Sequence, residues 1–69
     1  MIASILSHNI RDLRTSKGIT QQVMADKLGI DRKTLASYEL MKSFPNVLML
    51  ENIAEILNVK AYELLKERK

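Results

Sequence analysis

Cysteine is absent from the 69 residues. No disulfide can form, and neither can a zinc site built on thiolates. A chain of this length makes a single domain, taken here as residues 1–69, and buries only about 60% of its unfolded surface. Close helix packing or a second subunit must then supply what a cross-link would have given. Lack of cysteine fits a reducing compartment, so the expected location is cytoplasmic. Long apolar runs are missing too. Nothing approaches the roughly 18–20 residues of a membrane span, so no membrane partner is expected. The segment from Met1 to Ile10 has no basic run ahead of its apolar residues and does not read as a signal peptide.

Charge of one sign is in short supply. Eleven basic residues face eight acidic ones, for a net charge of +3. Such a balance permits nucleic-acid binding without demanding it. His8 is the only histidine. Metal ligation or nucleophilic catalysis would need partners that the chain does not offer. A glycine loop to cradle phosphate is also absent. The expectation is a protein that is not an enzyme and uses no cofactor or metal.

Two glycines and one proline are the only strong breakers, so each is informative. No segment alternates as a strand does, whereas the helical period recurs. Leu6, Ile10 and Leu13 share one face and predict a helix from Ile5 to Lys17, with Gly18 ending it. Thr20 is an N-cap for a helix over Gln21–Leu28, in which Met24, Ala25 and Leu28 point inward and Gly29 is the stop. Its capping box is incomplete, because Val23 stands where Glu or Gln would reciprocate. Asp31 is the next N-cap, with its carboxylate expected to be occupied by cap hydrogen bonds. The helix that follows runs from Arg32 to Glu39 or Leu40. Leu35 and Tyr38 point inward, and Arg32, Lys33, Ala36 and Ser37 form the opposite face.

After a loop through Lys42, Phe44 and Pro45, Asn46 caps a helix to Leu57. Val47, Leu50, Ile53, Ala54 and Leu57 keep its period, and Asn58 tolerates the left-handed turn that ends it. A last helix is predicted over Ala61–Glu67, with Leu64 and Leu65 apolar. The fold class is all-α, a compact bundle of five short helices.

Only Gly29, Ile30 and Asp31 separate the second and third helices. A turn that short sets two helices at a steep angle. In a helix-turn-helix the first of the pair crosses the DNA backbone and the second enters the major groove. The outward face of the third helix suits that place. Ala36 and Ser37 are small enough for close approach, and Arg32 and Lys33 can donate to guanine.

From Thr20 to Glu39 the sequence reads Thr-Gln-x-x-Met-Ala-x-x-Leu-Gly-Ile-x-x-x-Thr-Leu-x-x-Tyr-Glu. It resembles the phage repressor and Cro-type helix-turn-helix domains, the Xre-like family, and the likeness continues through Lys42, Pro45, Ile53-Ala54 and Leu64-Leu65. The resemblance implies a lambda-repressor-like fold and a small transcriptional regulator, a repressor, that binds specific double-stranded DNA as a homodimer. It implies that Arg32, Lys33 and Ser37 read bases, with Asp31 and Thr34 at the edge of the reading face. Gln21 and Lys42 match phosphate contacts. Arg14 and Glu39 match a structural ion pair between the first and third helices. Some similar domains bind another small protein as antitoxins do, which is the alternative.

Two departures stand out. The family favours glycine at position 41, where this chain has Met41 after Leu40. A positive φ there would be strained, so a longer third helix or a different loop path is expected. Lys60 occupies the place of a Ser or Thr N-cap, and the last helix is expected to fray at its start. The loop around Phe44 and the segment from Leu57 to Leu65 are the expected subunit contacts.

Overall fold

The computed structural model describes residues 1–67. Along it run α1 (Ile2–Ser16), α2 (Gln21–Leu28), α3 (Arg32–Glu39), α4 (Val47–Leu57) and a 3-10 turn (Ala61–Leu65). No strand occurs among the described residues. Two of the expected caps are made. The Thr20 hydroxyl accepts the Val23 N–H at 3.1 Å, and the Asn46 amide oxygen accepts the Met49 N–H at 2.8 Å. Each satisfies an N–H that a helix start leaves unpaired.

Every element contributes to one core. Leu6, Ile10 and Leu13 of α1 meet Met24 and Ala25 of α2 and Leu35 and Tyr38 of α3. Ile53, Ala54 and Leu57 of α4 and Leu64 of the 3-10 turn close it. Full burial of one such side chain stabilises by about 1.5–3 kcal/mol, so the apolar stripes position α3 before any polar contact is counted.

Two buried polar side chains tie α1 to distant backbone. The Ser7 hydroxyl donates to the Tyr38 carbonyl at 2.7 Å, which pairs a carbonyl left open in the last turn of α3. The Asn9 amide donates to the carbonyls of Leu64 at 3.0 Å and Lys66 at 2.8 Å, and so holds the 3-10 turn against α1.

All four α-helices end in the same way. A left-handed residue follows the last turn, and the next N–H reaches back five residues to a free carbonyl. Gly18, Gly29, Met41 and Asn58 are the left-handed residues. The return bonds run from Ile19 to Arg14, Ile30 to Ala25, Lys42 to Ser37 and Val59 to Ala54, at 2.9–3.1 Å. Ile19, Ile30 and Val59 then pack on the core.

Several expectations are corrected. α1 starts at Ile2 rather than Ile5. The fifth element is a 3-10 turn ending at Leu65, so the bundle has four α-helices and a turn. Its start is fastened without a Ser or Thr, because the Glu63 carboxylate accepts the Lys60 N–H at 2.9 Å. Val47 lies on the outer side of α4 and is 76% exposed. The Asp31 carboxylate makes no cap bond. The Thr34 N–H goes instead to the Asp31 backbone carbonyl at 3.0 Å, which leaves the carboxylate in solvent.

Met41 takes the positive φ, +64°, and α3 is not extended past Glu39. The bond from the Lys42 N–H to the Ser37 carbonyl requires that turn. A side chain in this conformation costs roughly 1–2 kcal/mol that glycine avoids. Met41→Gly is therefore expected to stabilise the fold by about 1 kcal/mol, a rise of roughly 4–8 °C in Tm. Thermal denaturation of the two chains checks it, and an unchanged or lowered Tm would refute the strain.

Candidate nucleic-acid interface

α3 has one apolar and one polar side. Leu35 is fully buried and Tyr38 nearly so. On a helix the residues at 32, 33, 36 and 37 face away from that pair. Arg32 and Lys33 are exposed, and Ala36 and Ser37 are half-buried. The sequence expectation for this face is met. Thr34 lies at its margin and is half-buried. Lys42 is exposed two residues beyond the left-handed turn's start at Leu40, anchored by its N–H on Ser37.

The far end of α3 is held by Arg14. Its Nε donates to Glu39 Oε2 at 2.6 Å, Nη2 donates to Glu39 Oε1 at 3.1 Å, and Nη1 donates to the Ile19 carbonyl at 2.7 Å. The two side chains are only 10% and 3% exposed. This is the bidentate geometry in which a guanidinium matches a carboxylate best. Burial decides its weight, since an exposed pair would contribute under about 1 kcal/mol.

The network reaches the polar face. Gln21 Nε2 donates to Glu39 Oε1 at 3.0 Å, and Gln21 Oε1 accepts from Arg32 Nη1 at 3.3 Å. Arg14, Glu39, Gln21 and Arg32 thus form one connected chain. No pattern within α2 or α3 marks the last link. Both ends of the Gln21 amide are engaged within the protein, while its backbone N–H at the start of α2 is paired with no described residue.

A short turn, an apolar inner side and a cationic outer side make a helix-turn-helix. The profile of the family described as Helix-turn-helix matches residues 10–64. The chain belongs to this HTH_3 family. It is 45% identical over 62 residues to an uncharacterized HTH-type transcriptional regulator, YqaE, of Bacillus subtilis, covering 90% of this chain and 53% of that one. The chain thus spans about half the length of the first curated relatives it matches.

Two crystal structures share the fold closely. A hypothetical transcription factor from Neisseria superposes with a TM-score of 0.90 at 30% identity, covering 97% of this chain and 77% of that one. The restriction-modification controller protein C.AhdI from Aeromonas hydrophila gives 0.84 at 26% identity, covering 90% and 94%. As in the Xre-like domains, the HTH_3 fold here is all-helical. No helix among the described residues is long and apolar enough to cross a membrane.

Removing Arg14 would leave the Glu39 carboxylate buried with only Gln21 for company. Arg14→Ala is expected to lose about 3 kcal/mol of stability, against a few tenths for the exposed Arg11→Ala. Urea denaturation of both variants measures the difference. Equal midpoints would show that the pair does not hold the fold.

Proposed function

We propose that this chain binds specific double-stranded DNA as a homodimeric transcriptional repressor, with α3 lying in the major groove. The observation that carries the reading is the cationic, small-residue face of α3, anchored from behind by Leu35, Tyr38 and the Arg14–Glu39 pair. In this reading Arg32, Lys33 and Ser37 meet base edges and Thr34 lies at the groove margin. Lys42 and the Gln21 N–H meet phosphates on either side. The Gln21 side chain holds Arg32 in position for its base. The exposed Asp31 carboxylate disfavours a phosphate at the start of α3 and selects for a base-edge donor such as the cytosine amino group.

Exposed apolar side chains support association. Phe44, Val47 and Leu48, 47%, 76% and 68% exposed, lie close in sequence where the loop enters α4. In the C-terminal segment Leu57 and Leu64 are fully buried, which leaves Tyr62 and Leu65 as its exposed apolar side chains. An antitoxin-like role, with these residues covered by a different small protein, predicts that such a chain co-purifies in fixed ratio. A homodimer predicts half-sites about one helical turn, roughly 34 Å, apart.

Selection of bound duplexes from a random pool tests the proposal. The parent is expected to enrich a paired half-site. Arg32→Ala should give up about 1–3 kcal/mol of discrimination at one base pair, and Lys42→Ala should weaken all duplexes alike. A parent that enriches nothing, or an Arg32→Ala variant with the parent's profile, would overturn it.

A further inference from the structure

A cleft of about 360 Å³ opens between α1, α2 and α3. Arg11, Arg14, Gln21, Ala36, Glu39 and Leu40 line it. At about 30 Å³ per water, it has room for roughly ten waters or a hydrated anionic group. Most of its polar lining is already engaged. The Arg14 nitrogens go to Glu39 and Ile19, Glu39 is covered by Arg14 and Gln21, and the Gln21 amide is shared by Glu39 and Arg32. Arg11 is the exception. It is exposed and engages in no hydrogen bond or ion pair among the described residues.

The charges point the same way. Two guanidinium groups face one carboxylate across this cleft, and the carboxylate is neutralised by Arg14. One positive charge is left over, on Arg11. Its unspent donors form a planar fork that suits the oxygens of a phosphate. The cleft also borders the reading face at Ala36 and the start of α2 at Gln21.

We propose that Arg11 of α1 binds a backbone phosphate of the DNA in this cleft, beside the groove that α3 occupies. This rests on the DNA-binding reading above and adds to it a contact from outside the helix-turn-helix pair. Such a contact fixes register on the duplex and carries no sequence information. Arg11 also borders a smaller depression of about 130 Å³ with His8, Asp12 and Thr15. The Asp12 carboxylate there is the competing destination for its side chain.

Salt titration of the full chain on a selected and on a random duplex separates the two. Each phosphate contact contributes about 0.9 to the slope of log affinity against log salt. Arg11→Gln is expected to flatten the slope by about that amount on both duplexes, so that the parent loses roughly 3-fold more affinity than the variant between 50 and 200 mM salt. Base preference and Tm should stay as in the parent, and Arg11→Lys should restore the slope. An Arg11→Gln variant that keeps the parent's slope, or an Arg11→Lys variant that stays flat, overturns the Arg11 contact alone. A parent that binds neither duplex overturns the DNA reading with it.

Discussion

The buried pair of Arg14 and Glu39 fixes where α3 points. A helix of eight residues has no stability of its own in water, because nucleation consumes most of what so few hydrogen bonds return. Its direction must come from its neighbours. Leu35 and Tyr38 seat it on the core, but apolar contact is not directional and would tolerate some sliding. The bidentate fork is directional. Ser7, bonded to the Tyr38 carbonyl one residue away, adds a second fixed point from the same helix. Both anchors lie at the C-terminal end of α3, and the other end carries Lys33 and Arg32, the latter tied to Gln21.

The four helix ends apply a second constraint. Each closes through a left-handed residue and a return bond, and three of the residues after the turn are apolar and pack inward. The end of α3 breaks the pattern twice. Met41 accepts a conformation that glycine would take freely, and Lys42 sends a charge outward where the others send a branched side chain inward. An outward lysine cannot reinforce the turn by burial. The return bond to Ser37 and the flanking packing must therefore hold this turn against the strain, and the exposed apolar residues from Leu40 onward show how little of the loop is buried.

Most of the architecture was legible from the sequence, for identifiable reasons. Thr20, Gly29, Asn46 and Asn58 act within a few residues of themselves, so the bounds of α2 and α4 follow from local chemistry. The polar side of α3 follows from the spacing of Leu35 and Tyr38. What escaped depends on distance or on competition. Ser7 and Asn9 read as ordinary polar residues of a first helix, because their partners are backbone carbonyls 31 and 55–57 residues away. Asp31 had the right identity for a side-chain cap, yet its own backbone carbonyl captured the Thr34 N–H. Propensity argues against a left-handed methionine at position 41. The need to pair the Ser37 carbonyl outweighed propensity. The link from Gln21 to Arg32 joins two helices, and no pattern within either one encodes it.

Net charge is a poor guide to this surface for a related reason. Arg14 counts toward the total of +3 but is consumed inside the protein, together with Glu39. Their removal from the reckoning leaves the sum unchanged and alters its distribution. Arg11, Arg32, Lys33 and Lys42 remain exposed, on or beside α3, whereas α4 carries only Glu51 and Glu55 as charged residues. A modest overall charge thus coexists with a local group of exposed cations at α3. Unevenness of this kind orients an approaching polyanion, because the field near a charge cluster exceeds that of the same charge spread evenly. Within roughly one Debye length, about 8 Å at physiological salt, the local arrangement outweighs the total. The fold that buries Arg14 to aim α3 is the same fold that leaves Arg11, Arg32, Lys33 and Lys42 exposed on or beside it.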